Sequence, residues 1–152
     1  MLLQLYVEMK TLTLILLLLS LPCSRPAVQV INATSVRNVP GRKESPVTVR
    51  YDIRVVTGKS SDILAFTKIY SKGRALRMRI LSWPDKRPAK EFAKGDTLLL
   101  RAVRMEPEDV RDKQQAAPPH LTGEIVIEYN VRKKKHHLPV KDIIRMPEKI
   151  NL

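Results

Sequence analysis

Val47, Val49, Tyr51, Ile53 and Val55 alternate with Thr48, Arg50, Asp52 and Arg54. A repeat of two puts the first set on the buried face of a strand and the second toward solvent. After a turn-rich loop from Thr57 to Asp62, the pattern returns twice, in Leu64 to Tyr70 and Leu76 to Trp83, around a Lys72-Gly73 turn. A hairpin centred on that turn pairs Ile69 with Leu76, Thr67 with Met78 and Ala65 with Ile80 on a mostly apolar side. The other side then carries Phe66 opposite Arg79 and Lys68 opposite Arg77, with Tyr70 and Trp83 at its ends. Cations set directly across a sheet repel, so an anionic partner is expected on that face.

Pro84 to Lys94 reads as a loop or one short helix, rich in Lys86, Arg87, Lys90 and Lys94, with Phe92 as an apolar plug. Gly95-Asp96 then announces Leu98 to Val103, which is apolar on both faces and so central or bulged. Residues 106–119, acidic and proline-bearing, form an excursion. Gly123 to Arg132 places Ile125, Ile127, Tyr129 and Val131 on one face and Glu124, Glu128, Asn130 and Arg132 on the other. The basic run from Lys133 to His137 closes the domain, and Val140, Ile143 and Ile144 in the tail supply one covering turn. Five strands without a long amphipathic helix or an internal repeat predict an all-β domain. Their count and spacing favour a five-stranded barrel over residues 47–137, since a sandwich usually has about seven strands.

The chain has 152 residues, room for one domain with a leader and tails. Its 28 Lys and Arg against 15 Asp and Glu leave a formal charge of +13. That imbalance attracts polyanions, whether nucleic acid, sulfated glycan or an anionic membrane surface, without choosing among them. Residues 1–24 have the layout of a secretory signal peptide: Lys10 precedes an apolar run from Thr11 to Leu21, followed by Pro22-Cys23-Ser24. An uncleaved anchor and a start at Met9 are the alternatives. Cys23 is the single cysteine, so the expected mature chain holds no disulfide framework or cysteine-based zinc site. Residues 25–46 read as a flexible basic segment containing the glycosylation sequon Asn32-Ala33-Thr34.

The hairpin, the linking loop and the run Phe92-Ala93-Lys94-Gly95-Asp96-Thr97-Leu98 resemble the oligonucleotide/oligosaccharide-binding (OB) superfamily, over about residues 47–132. An apolar residue shortly before Gly-Asp, here Phe92, Gly95 and Asp96, is the point of likeness. Within that superfamily the chain looks most like the single-strand-binding modules of replication and telomere-end proteins. That resemblance implies binding of single-stranded DNA or RNA, without catalysis or cofactor, by Phe66, Lys68, Tyr70, Arg77, Arg79 and Trp83. Rings would stack on bases while cations neutralise phosphates. Two features depart from it. Aromatic residues are only 5% of the chain, so stacking platforms are few, and the leader points to export rather than to the nucleus. Netrin-like modules of secreted inhibitors share the barrel but are held by disulfides.

The alternative is a secreted basic protein that binds sulfated glycan, an anionic membrane surface or an acidic protein partner with the same cations, assisted by Lys86, Arg87, Lys133, Lys134 and Lys135. A third reading is an exported structural or inhibitory domain recognising another protein, its charge incidental. Against each stands an ordinary solvated face or tail, which strand alternation and charge runs routinely produce. If the leader is unused, the basic run resembles a nuclear localisation signal. Adjacent His136 and His137 rarely converge on one metal ion, and the only other histidine is His120. Asp52, Asp62, Asp96, Glu124 and Glu128 form no constellation with a His or Ser, and Asp96 reads as a turn residue bonding backbone. No catalytic or metal residue is nominated.

Overall fold

A computed structural model describes residues 25–42, 45–106 and 123–151. The expected leader, the expected 106–119 excursion beyond its first residue, and His120 therefore lie outside the described residues. The strands are β1 (Val28–Pro40), β2 (Val47–Thr57), β3 (Leu64–Ser71), β4 (Arg74–Leu76), β5 (Met78–Ser82), β6 (Thr97–Glu106), β7 (Ile125–Val131), β8 (Lys134–Val140), β9 (Ile143–Arg145) and β10 (Lys149–Asn151). No helix occurs among the described residues, and none there is long and apolar enough to cross a membrane.

The all-β expectation holds, but the five-stranded closed barrel is corrected to two open sheets. One sheet runs β10-β1-β2-β6-β5, with β9 also on β1; the other runs β4-β3-β7-β8. Apart from the parallel additions of β9 and β10 to β1, neighbours are antiparallel. The order β1-β2-β6-β5 against β4-β3-β7-β8 is the strand order of an immunoglobulin-type sandwich. Strand order alone carries no function.

Three events in the chain produce the sandwich. The expected hairpin register is present at the turn, where Ile69 pairs with Leu76, Tyr70 with Ala75 and Ser71 with Arg74. The returning strand, however, stops at Leu76. Beyond Arg77, Met78 to Ser82 pair with β6 in the other sheet, so Thr67 never meets Met78 and Ala65 never meets Ile80. Second, the β3–β7 register shifts between Phe66 and Lys68. The extra residue resets which side chains face inward, so Leu64, Phe66, Ile69 and Ser71 are all buried. Third, residues expected to be a flexible segment form β1, which sits between β2 and the tail strands. Its own shift between Val30 and Asn32 interrupts the alternation that would have announced it. The stretch from Pro84 to Lys94 contains no helix and folds back so that Pro88 bridges to Leu81.

One core joins the two sheets. Ala33, Tyr51, Ile53, Val55, Leu98 and Leu100 come from the first sheet, and Leu64, Phe66, Ile69, Ile125, Ile127 and Val140 from the second. Tyr51 and Ser71 are both buried polar residues, and Ser71 Oγ donates to Tyr51 Oη at 3.2 Å across the gap. Each hydroxyl thereby has a partner where water is excluded. The loop from Ala93 to Asp96 is tied as expected: Asp96 Oδ2 accepts from Ala93 N at 2.8 Å, and Gly95 N donates to Thr57 O at 2.7 Å.

Gly58 closes the same end of β2 against the start of β1, its N donating to Ala27 O at 2.8 Å. A Cβ added there would overlap the backbone carbonyl of Pro26. Gly58→Ala is therefore expected to cost roughly 1–3 kcal/mol by forcing the β1 entry outward. Urea unfolding checks this; an unchanged midpoint would show that the entry yields without cost.

Candidate polyanion interface

The outward positions of β2, β6 and β5 gather four arginines, Arg50, Arg54, Arg79 and Arg101, on one sheet face. Because Asp52 pairs with Arg101 and Arg101 with Arg79, these three form one row across three strands. Arg50 and Arg54 flank Asp52 two residues away on β2, roughly 7 Å along the strand. Four arginines thus share this face with one carboxylate. Asp52 is engaged by two of them: Arg101 donates Nε to Oδ1 at 2.6 Å and Nη2 to Oδ2 at 3.2 Å, while Arg50 Nε lies 3.3 Å from Oδ2. The two hydrogen bonds fix Arg101 against Asp52, whereas Arg50 Nε makes no hydrogen bond and is paired with the carboxylate by charge alone. Arg79 is exposed and lies directly opposite Arg101, whose charge the Asp52 carboxylate already offsets in part.

At one end of this face, Arg54 is fixed twice. Its Nε donates to Asn32 Oδ1 at 2.7 Å, and its Cζ stands 4.8 Å from the centre of the Trp83 ring. Lys86 Nζ approaches the same ring at 5.8 Å. Cations over an indole are attracted by its quadrupole, so Trp83, 38% exposed, serves as a shelf for positive charge.

The residues expected to make a single site are thus divided. Arg79, Trp83, Lys86 and Arg87 belong to this face or the loop beside it, while Arg77 is exposed at the crossover between sheets. Phe66 lies in the core at 8% exposure, its ring 6.1 Å from Phe92 and 6.3 Å from Tyr129. It is not opposite Arg79. Lys68 and Tyr70 are on the outer face of the other sheet, and Lys133, Lys134 and Lys135 are at the β7–β8 turn and on β8. Arg132 and Lys133 turn that hairpin with positive φ. Asn32 is in the middle of β1, not in a flexible segment. Arg50, Arg54 and Arg101 are the cations that sequence reasoning did not select. Arg50 and Arg54 were signalled only by their position on the polar side of a strand, and Arg101 by nothing in its run of leucines; their convergence depends on β6 lying between β2 and β5.

The outer face of β3, β7 and β8 holds a second polar cluster. Glu128 is only 3% exposed. Its carboxylate accepts from Thr67 Oγ1 at 2.8 Å and Tyr70 Oη at 3.0 Å, with His137 Nε2 at 3.2 Å and Lys135 Nζ at 3.5 Å. The β3 bulge lets Thr67 reach both the carboxylate and the Glu128 carbonyl, at 3.1 Å. Burial raises the Glu128 pKa, but the bonds from Thr67, Tyr70 and His137 and the charge of Lys135 outweigh it, leaving the group below its ordinary value. Burial, followed by the bond to Glu128, raises the Tyr70 hydroxyl pKa. With its ring buried and its hydroxyl committed, Tyr70 presents no face to a base. Among the described residues no three His, Cys, Asp or Glu side chains are grouped to hold a metal ion.

Comparison with protein-family models, with curated proteins and with solved structures finds no match to this chain.

Proposed function

We propose that this chain is a non-enzymatic β-sandwich module that binds a sulfated glycan through the outer face of β2, β6 and β5. The observation that carries the reading is Arg79 opposed to Arg101, with Arg50 and Arg54 alongside and Asp52 as the lone carboxylate among them. Guanidinium groups match sulfate and phosphate oxygens in a planar fork, and several of them on one sheet face suit a linear chain of repeating anions. Stacking on bases is supported less well. Phe66 is in the core, Tyr70 is buried, and Trp83 already carries Arg54. The leader-like run at the N-terminus accords with the same reading, since export would bring the chain to extracellular sulfated glycans.

The test is retention on heparin across a salt series, with single-stranded oligonucleotide as competitor. Replacing Arg54 and Arg79 with glutamine should weaken heparin binding roughly 30-fold at low salt, taking about 1 kcal/mol per cation at an anionic surface. Removing two charges at Lys133 and Lys134 instead should change it far less. Equal losses from the two pairs would point to diffuse attraction by net charge. Oligonucleotide that displaces heparin at near-physiological salt would move the assignment to nucleic acid.

A further inference from the structure

Asn32 is the acceptor residue of the sequon, and the structure sets it on the arginine face. It pairs with Arg54 across β1 and β2, in line with Leu99 and Leu81, which are buried, Leu81 bridging to Pro88 of the neighbouring loop. Its Oδ1 accepts from Arg54 Nε at 2.7 Å, which leaves the other end of the amide, Nδ2, as the atom to which an N-linked sugar attaches. Glycosylation preserves Oδ1, so the bond to Arg54 can persist in the modified chain. It would hold the first sugar beside the guanidinium rather than away from it.

Neighbouring strands are about 4.8 Å apart, which puts β6 with Arg101 roughly 10 Å from β1 and β5 with Arg79 roughly 14 Å away. A branched N-linked oligosaccharide is bulky and wide enough to extend over that span. From these placements we infer that glycosylation at Asn32 masks the polyanion face, so that sugar occupancy sets how much of the protein can bind sulfated glycan. The inference rests on the proposed function of that face.

The experiment uses the full chain directed into the secretory pathway of a eukaryotic host producing high-mannose glycans. Three forms are compared on heparin: glycosylated, trimmed to the first sugar by an endoglycosidase, and the Thr34→Val variant. That variant destroys the sequon while leaving Asn32 and Arg54 in place; the bond lost, Thr34 Oγ1 to Asp52 O, is long at 3.4 Å. Mass measurement should find sugar on the first form, which should elute at lower salt than the other two. Absence of sugar at Asn32, or identical elution of glycosylated and trimmed forms, overturns masking while heparin binding itself stands. Failure of the trimmed and Thr34→Val forms to bind heparin overturns the underlying reading, and masking with it.

Discussion

Glu128→Ala is expected to lower the free energy of unfolding by about 3–5 kcal/mol, the loss typical when one partner is removed from a buried charged network. Tyr70 Oη and Thr67 Oγ1 both donate to this carboxylate, and without it the buried Tyr70 hydroxyl loses its acceptor. Net stabilities of domains are only about 5–15 kcal/mol, so the change is a large share of the total. Its pH dependence follows from the lowered Glu128 pKa. Because the folded value lies below the unfolded one, the ionised group's stabilisation is present above about pH 4.3, the ordinary glutamate value, and is lost as pH falls through the lowered folded value. Urea unfolding of wild type and Glu128→Gln at neutral pH and through the acid range reads this directly. The gap between them should narrow as the medium becomes acid; a gap constant with pH would mean that the carboxylate's charge contributes nothing.

Phe66→Ala should also be severe, at about 3–5 kcal/mol, because it removes a buried ring from the contact with Phe92 and Tyr129 and leaves a cavity. Where the variant remains folded, its elution from heparin should match that of wild type. This outcome separates the sandwich from the OB-like expectation, in which Phe66 faces the ligand. A stable Phe66→Ala variant with weakened polyanion binding would return the ring to the surface and reopen stacking.

These two residues show how a period of two misleads when it meets a bulge or an outer face with its own polar core. Leu64 and Phe66 are buried, and one inserted residue later Ile69 and Ser71 are buried too. Counting by twos from Ile69 therefore places Phe66 on the wrong face. At Glu128 the alternation is correct, since Ile127 points into the core and Glu128 away from it. Being on the outer face did not mean being in water: Thr67, Tyr70, His137 and Lys135 converge on it from strands on either side. No local pattern encodes that convergence. Arg50 and Arg54 were legible as the polar side of β2, whereas Arg101 was concealed in a run of leucines.

The sequence by itself determined that the chain is built of strands, the inward sets Val49-Tyr51-Ile53-Val55 and Ile125-Ile127, the Lys72-Gly73 turn and the three pairs nearest it. Those depend on the side-chain period and on turn chemistry within a few residues. Only the tertiary structure decided that the chain leaves one sheet for the other at Arg77, that β1 and the tail strands belong to the fold, and that Arg79, Arg101, Arg50 and Arg54 share a face. Each of those depends on which distant strands become neighbours. That is settled by burying both apolar faces against each other at once, a condition on the whole chain that no single segment carries.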